Sequence, residues 1–190
     1  MTHSSPAPTR AELLGSAVTA LEQLTRVVSD FPSAGVVFRD ITPVLADPGG
    51  LMAVTQALSV AVTQPFDLVA GLDARGFLLG AAVAVHTGCG VLAIRKAGKL
   101  AGAVIGKDYS LEYGTGRLEL HPDDVPAGAR VLVVDDVLAT GGTAAAACSL
   151  LIQAGARIAG VAVVMELVDL GGRARVEAAT DAPVVAICAL

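Results

Sequence analysis

Residues 131–143 read VLVVDDVLATGGT, and this segment restricts the possible folds more than any other part of the chain. Four apolar residues come first, as in a buried strand, and two adjacent carboxylates, Asp135 and Asp136, follow where that strand should leave a sheet. A loop of small residues then leads into a helical pattern. In open α/β sheets ligands bind at the carboxyl ends of strands, and a glycine-rich loop at a helix N-terminus suits a phosphate group. The segment therefore predicts an α/β fold that holds an anionic ligand.

The remainder of the chain supports this fold class. Mainly apolar, strand-like segments at 67–71, 91–94, 130–134 and 158–166 alternate with helical patterns at 76–86 and 142–154. Apolar runs of this kind are typical of parallel strands that helices cover on both faces. We expect one mainly parallel sheet flanked by helices, in a single domain over residues 9–190 that follows a disordered tail at 1–8.

The N-terminal part predicts a helix and a short extended piece. Thr9 and Glu12 have the spacing of a capping box, and apolar residues recur at helical spacing from Leu13 to Val28. We therefore expect one helix that ends before Asp30. Residues 35–38 should be extended, and the Asp47-Pro48 pair is a signal for the start of another helix.

Composition excludes several classes of protein. Thirteen Lys and Arg against 18 Asp and Glu give a net charge of −5, the wrong sign for a protein that coats nucleic acid. Cys89, Cys148 and Cys188 lack the spacing of metal or redox motifs, so we expect buried, reduced thiols and a cytoplasmic location. The N-terminus lacks the pattern of a secretory signal, and the uncharged stretches at 76–94 and 137–156 contain glycine-rich breaks, so we expect no membrane span.

Residues 131–143 resemble the phosphoribosyl pyrophosphate-binding signature of type I phosphoribosyltransferases. Three further segments, VVFRDITPVL at 36–45, AGLDARGFLLG at 70–80, and IRKAGKL with YSLEYG at 94–100 and 109–114, resemble the adenine-specific members in the same order. The resemblance implies the type I fold, with a mobile lid loop and a small N-terminal hood segment. It also implies a purine-salvage reaction in which ribose 5-phosphate passes from phosphoribosyl pyrophosphate to N9 of adenine, giving AMP and pyrophosphate.

The resemblance further implies a role for individual residues. The 5′-phosphate would be held by Ala139, Thr140, Gly141, Gly142 and Thr143, and the ribose hydroxyls by Asp135 and Asp136. The pyrophosphate would be contacted by Arg75, Arg95, Lys96 and Lys99. The adenine pocket would comprise Val37, Phe38 and Arg39, with the Phe38 ring stacked on the base and neighbouring backbone groups reading its Watson–Crick edge. Glu112 would be the catalytic general acid/base.

Two kinds of partner follow from the same resemblance. Mg²⁺ should arrive bound to the pyrophosphate, because the sequence shows no cluster of protein ligands for a metal. Members of the family are typically homodimers, so we expect a homodimer that acts on small molecules and binds neither nucleic acid nor membrane.

Residues 96–120 contain five glycines and three lysines, too many glycines for a stable helix in a segment too long for a tight turn. We expect a lid loop there; a surface hairpin without a role is the alternative. For the whole chain, one alternative is a hypoxanthine/guanine or xanthine phosphoribosyltransferase, although residues 36–40 favour adenine. A non-catalytic sensor of phosphoribosyl pyrophosphate is another, but it would need a DNA-binding module and a basic face.

Overall fold

The computed structural model describes residues 7–31, 33–110 and 115–190. The helices in these ranges are α1 (Arg10–Leu24), α2 (Thr42–Ala46), α3 (Pro48–Ser59), α4 (Arg75–Thr87), α5 (Gly142–Gln153) and α6 (Gly172–Glu177). The strands are β1 (Arg26–Ser29), β2 (Val37–Asp40), β3 (Leu68–Leu72), β4 (Gly90–Lys96), β5 (Ile105–Ser110), β6 (Thr115–Leu120), β7 (Arg130–Leu138), β8 (Arg157–Glu166) and β9 (Val184–Ala189). Glu112 and residues 1–6 of the expected tail lie outside the described residues.

Seven strands form one sheet in the order β5-β6-β4-β3-β7-β8-β9. The five strands from β4 to β9 in this order run parallel, and β6 is antiparallel to both β4 and β5. From β3 the chain continues to β4 on one side in the sheet, whereas from β7 it continues to β8 on the opposite side. The strand order therefore reverses between β3 and β7, which is where open α/β sheets form a ligand crevice. The expected mainly parallel sheet is confirmed.

Both faces of the sheet are covered, which explains the apolar runs in the sequence. In β7, Val131 and Val133 pack in the cluster that includes α5, whereas Leu132 and Val134 pack in the cluster that includes α1, α3 and α4. All four side chains are fully buried, and each such burial stabilises the fold by about 1.5–3 kcal/mol. β7 is thus firmly anchored, and it supplies a rigid base for the polar residues at its carboxyl end.

The N-terminal segment follows its predicted helix only as far as Leu24. The predicted capping box is present, since the Thr9 side chain accepts a hydrogen bond from the Glu12 N–H and the Glu12 carboxylate accepts one from the Thr9 N–H. The prediction of helix through Val28 is wrong, because residues 26–29 form β1 and pair with β2. Consecutive β-branched residues, Val27 and Val28, favour a strand once a partner strand is within reach. The β1–β2 sheet, residues 26–29 and 37–40, is named the hood below.

Residues 96–120 are more regular than the expected loop. β5 and β6 pair antiparallel, with Tyr109 opposite Gly116, and Leu118 and Leu120 are buried in the core. A Cβ added at Gly116 would lie 2.6 Å from the Tyr109 ring, so this glycine leaves room for the aromatic ring across the strands. The expectation of irregular structure is wrong for both strands, because alternating apolar residues bury one face of the pair. A lid function for this segment stays a prediction.

Within the described part of the chain, no helix is both long enough and apolar enough to cross a membrane. The thiol prediction is confirmed only for Cys148, which is fully buried. Cys89 and Cys188 are partly exposed. Cys89 follows the left-handed Gly88 that ends α4, and Cys188 lies in the edge strand β9, so neither position is enclosed on all sides.

Candidate active site

An ion pair joins the carboxyl ends of two neighbouring strands. Arg75 begins α4 immediately after β3 and its short loop, and Asp136 lies near the end of β7. Nη1 of Arg75 donates a hydrogen bond to Oδ2 of Asp136, although the two residues are 61 positions apart in the chain. The parallel register of β3 with β7 brings these two sequence-predicted residues together.

Asp135 has a different environment from Asp136. Its Oδ1 accepts a hydrogen bond from the Asp136 N–H at 2.9 Å. A Cβ added at Gly76 would lie 2.9 Å from the same oxygen, so Asp135 packs closely on the first turn of α4. Burial raises the pKa of Asp135 to about 8, while the charges of Arg75 and Lys96 oppose that rise. One acid is therefore ion-paired and the other desolvated.

Residues 139–143, named the phosphate loop below, connect β7 to α5. Gly141 is the N-cap of α5 and has a φ of 74°, a left-handed conformation that favours glycine. No side chain of the described residues caps the first turn of α5. A cavity of about 80 Å³ lies in the loop, lined by Asp135 and residues 137–144. Uncapped N–H groups at a helix N-terminus form an anion-binding site.

Two further predicted cations lie at the end of β4, beside Asp73. Nε of Arg95 is 3.7 Å from Oδ2 of Asp73, and its guanidinium carbon is 5.7 Å from the centre of the Phe77 ring. The Lys96 N–H donates to Oδ2 of Asp73 at 3.4 Å. The sequence interpretation did not single out Asp73; its place two residues before Arg75 was the available signal.

Lys99 is brought less close to the other predicted residues. It lies in the turn after β4, where its carbonyl oxygen accepts a hydrogen bond from Nη1 of Arg95 at 3.1 Å. Its side chain is exposed. The Lys96 side chain is exposed too, but its charge opposes the rise in the pKa of Asp135. The structure therefore groups Lys96 with the acids and leaves Lys99 at the margin.

Phe38 connects the hood to the ion pair. The guanidinium carbon of Arg75 lies 5.9 Å from the centre of the Phe38 ring. The Phe31 ring meets the Phe38 ring edge to face at 5.1 Å between centroids. Phe31 was not among the predicted site residues. The chain has only four Phe and two Tyr, so each ring was a candidate for contact with a flat ligand.

Arg39 and Val37 flank Phe38 in β2. The Arg39 side chain lines a separate cavity of about 110 Å³ with Leu21 and Cys188. Successive side chains of a strand point to opposite faces, so Arg39 and Phe38 face different ways. A contact from Arg39 to a base beside the Phe38 ring is therefore restricted to its backbone, as in the hypothesis from the sequence.

A larger cavity lies far from these side chains. It measures about 660 Å³ and is lined by Arg157 and residues 177–183, among others, near the amino ends of β8 and β9. None of the sequence-predicted site residues contributes to it. The candidate site is therefore located by its charged side chains and helix N-terminus, at the carboxyl edge of the sheet, and not by the size of a cavity.

Comparisons with known proteins identify the family. Residues 42–184 match the family model of the phosphoribosyl transferase domain. The adenine phosphoribosyltransferase of Clavibacter sepedonicus is 57% identical over 160 residues, which cover 84% of this chain and 83% of that protein. The chain belongs to the adenine phosphoribosyltransferases. Another member, from Streptomyces coelicolor, is 57% identical over 155 residues, which cover 81% of this chain and 85% of that protein.

Solved adenine phosphoribosyltransferases share the fold. The enzyme of Rhodothermus marinus superposes with a TM-score of 0.84 at 42% identity, over 93% of this chain and 99% of that chain. The Saccharomyces cerevisiae adenine phosphoribosyltransferase, solved with an imino-altritol bisphosphate and adenine, has a TM-score of 0.84 at 35% identity, over 91% and 99% of the two chains. The expected type I fold and the expected adenine phosphoribosyltransferase activity, a pentosyl transfer of purine salvage, are confirmed. The roles of single residues stay predictions.

Proposed function

We propose that this adenine phosphoribosyltransferase joins N9 of adenine to C1 of phosphoribosyl pyrophosphate in the crevice between the hood, Arg75 and the phosphate loop. The observation that carries the proposal is the double contact of Arg75, which pairs with Asp136 and faces the Phe38 ring. Groups suited to the sugar, to the pyrophosphate and to the base are thereby adjacent.

The phosphate loop and the two acids hold the ribose 5-phosphate portion. Backbone N–H groups of residues 139–143 at the start of α5 receive the 5′-phosphate. Asp135 and Asp136 accept hydrogen bonds from the ribose hydroxyls. Because Asp136 also pairs with Arg75, the sugar and the pyrophosphate are oriented by a shared pair of side chains. Arg75, with Arg95 and Lys96 on the neighbouring strand end, supplies the local positive charge that an acidic protein needs for this anion.

The base lies against the hood. The Phe38 ring stacks on adenine, and backbone groups of Val37 and Arg39 read its Watson–Crick edge. Stacking of a base on an aromatic side chain contributes about 1–3 kcal/mol. With adenine held over C1, the C1–oxygen bond to pyrophosphate breaks with its electron pair, and the lone pair of N9 forms the new bond to C1.

A general base receives the ring proton that the purine loses. Glu112, within the YSLEYG segment, is the residue proposed for this proton transfer. A positioned carboxylate contributes about 10²–10⁴-fold to such a step. Closure of residues 96–120 over the site would exclude water and so protect the activated sugar from hydrolysis.

The donor set near the acids fits Mg²⁺ that is bound mainly by the substrate. The described residues contain no group of three or more His, Cys, Asp or Glu side chains able to hold a metal by themselves. Asp135 and Asp136 offer carboxylate oxygens, and Mg²⁺ typically combines one or two carboxylates with substrate phosphates and water. When bound, Mg²⁺ would neutralise charge on the departing pyrophosphate.

A homodimer is proposed through the outer face of α3 and α4. Met52, Leu78 and Val85 are 52%, 60% and 84% exposed, and an apolar groove of about 340 Å³ runs between the two helices. Exposed apolar patches of this kind mark association surfaces. Light scattering at micromolar concentration should give a dimeric mass, and Val85→Lys should reduce it to a monomer. Val168→Lys, at another exposed valine, is the matched control; a monomeric parent chain would contradict the proposal.

We also infer a cytoplasmic location from the three free cysteines. Unpaired thiols persist in reducing compartments. Fractionation of cells that produce the chain should recover it with the cytoplasmic fraction, and recovery with secreted proteins would contradict the inference.

The test of the reaction is a direct assay with phosphoribosyl pyrophosphate and Mg²⁺, offering adenine, hypoxanthine and guanine in parallel. AMP from adenine alone is expected. Product from hypoxanthine or guanine would overturn the proposed base pocket around Phe38 while retaining the phosphate loop. Binding of phosphoribosyl pyrophosphate without product from any base would favour the non-catalytic sensor.

A further inference from the structure

The phosphate loop is in backbone contact with the first residue of α6. A Cβ added at Gly172 would lie 2.8 Å from the amide nitrogen of Gly141 and well inside the van der Waals contact distance of the Ala139 carbonyl oxygen. A Cβ added at Gly141 would overlap the Gly172 carbonyl group in the same way. Two backbones approach this closely only where both residues lack a side chain. Gly172 therefore supports the phosphate loop from behind.

The residue after Gly172 ties this corner to the sheet. Nε of Arg173 donates to Oε1 of Glu166 at 3.0 Å, Nη2 donates to Oε2 of the same carboxylate, and Nη1 donates to the carbonyl oxygen of Val184. Glu166 is only 5% exposed. The hydrogen bond to Glu166 raises the pKa of Arg173. One guanidinium thus links α6 to the last residue of β8 and to the first residue of β9.

Glu166 in turn stands beside the start of the phosphate loop. It is opposite Leu138 in the register of β7 with β8, and Leu138 immediately precedes Ala139. The Leu167 N–H donates to the Leu138 carbonyl oxygen at 2.9 Å. The chain is therefore held just before the loop by Leu167, the residue that follows β8, and at Gly141 by Gly172.

We propose that Gly172 and the Arg173–Glu166 ion pair are positioning residues, which keep the phosphate loop in the conformation that binds the 5′-phosphate of phosphoribosyl pyrophosphate. The inference rests on the proposed function, because it takes residues 139–143 as the phosphate site. A loop of small residues has few side-chain restraints of its own. Its N–H groups converge on one anion only if neighbouring structure limits the backbone, and binding is stronger when that ordering precedes the ligand.

The first test replaces Gly172 with alanine. The added methyl group must displace Ala139 or Gly141, and we expect the KM for phosphoribosyl pyrophosphate to rise on the order of tenfold or more. The KM for adenine and kcat should stay close to those of the parent chain. Ala174→Gly is the matched control, because it weakens the same helix, α6, at an exposed position. It should leave the KM for phosphoribosyl pyrophosphate unchanged.

The second test weakens the Arg173–Glu166 ion pair in two steps. Arg173→Lys keeps a positive charge but loses the forked geometry, whereas Arg173→Met combined with Glu166→Gln removes both charges and retains bulk. The KM for phosphoribosyl pyrophosphate should increase from the parent chain to Arg173→Lys and again to the double variant. Equal values in all three would overturn the role of the pair.

Thr143→Val, inside the phosphate loop, distinguishes failure of this inference from failure of the proposed function. If Thr143→Val raises the KM for phosphoribosyl pyrophosphate and Gly172→Ala does not, the positioning role is overturned while the phosphate site stands. If neither variant changes it, the phosphate-site assignment is wrong and the inference falls with it. If Gly172→Ala raises the KM for adenine as well as the KM for phosphoribosyl pyrophosphate and also lowers the melting temperature, the contact is merely structural. That result would also overturn the positioning role.

Discussion

The guanidinium carbon of Arg75 lies 5.9 Å from the centre of the Phe38 ring, while Nη1 of the same residue is hydrogen-bonded to Asp136. Arg75 thus connects the hood to the end of β7. A cation over an aromatic ring at a partly exposed site contributes about 0.5–1 kcal/mol. A bound pyrophosphate that attracts Arg75 would therefore also change the contact between Arg75 and Phe38, the ring proposed to hold the base.

Replacement of the Phe38 ring should weaken adenine binding. In Phe38→Leu the stacking surface is lost, and we expect the KM for adenine to rise about tenfold, corresponding to about 1.4 kcal/mol. Phe38→Tyr keeps the ring and should stay near the parent value in the same steady-state assay. An unchanged KM for adenine in Phe38→Leu would remove Phe38 from the base pocket.

Neutralising Asp136 should weaken phosphoribosyl pyrophosphate binding. Asp136→Asn leaves Arg75 without its carboxylate partner and removes a charged acceptor for a ribose hydroxyl. Losing a charge-assisted hydrogen bond costs about 1.5–3 kcal/mol, so the dissociation constant measured by calorimetry should rise at least about tenfold. Asp181→Asn, at an exposed acid near the amino end of β9, should bind like the parent chain. Similar binding by both variants would contradict the ribose-site assignment.

Asp135 should make the stability of the protein depend on pH. Its folded-state pKa, raised to about 8 by burial, lies above the unfolded value near 4, so the native state binds more protons between these values. Stability from this group is therefore present at low pH and is lost as the pH rises toward 8.

Asp135→Asn removes that titration, and the melting temperature of the variant relative to the parent should increase from pH 5 to pH 8 in calorimetric scans. The amide oxygen can still accept the hydrogen bond from the Asp136 N–H. Asp181→Asn, the same substitution at an exposed position, is the matched control. A constant difference for Asp135→Asn across the range would show that Asp135 does not titrate there.

Cys148 should resist alkylation in the native protein. It is fully buried, and burial raises the pKa of its thiol to about 12. At pH 8 the reactive thiolate is then present at about one part in ten thousand. Mass spectrometry after iodoacetamide treatment should show label at Cys89 and Cys188 first, and at Cys148 only after unfolding. Rapid labelling of native Cys148 would show that α5 opens readily.

Glu112→Ala should lower kcat while phosphoribosyl pyrophosphate still binds with the parent affinity. Loss of a positioned general base costs about 10²–10⁴-fold in rate, and the residue is not assigned to the phosphate or pyrophosphate contacts. Asp123→Ala, at an exposed acid that follows β6, is the control. Full activity in Glu112→Ala would exclude Glu112 from the proton transfer.

Features encoded by neighbouring residues were predictable from the sequence. The Thr9–Glu12 capping box, the apolar run of β7 and the small-residue loop before α5 each depend on a few consecutive positions. Errors arose where a distant partner decided the outcome. Val28 satisfies a helical period, but β2 is available to pair with residues 26–29. Residues 96–120 have the glycine content of a loop, but Leu118 and Leu120 bury one face of a strand.

The sequence by itself determined the family and the fold class and predicted the site residues, because the motifs and periodic patterns behind these inferences are local. Only the tertiary structure decided which of these residues meet. Arg75 reaches Asp136 because β3 and β7 are parallel neighbours, and Gly172 reaches Gly141 because α6 is held to the end of β8 by Arg173. Such contacts depend on strand order, register and close backbone approach between distant segments, and no short stretch of sequence specifies these.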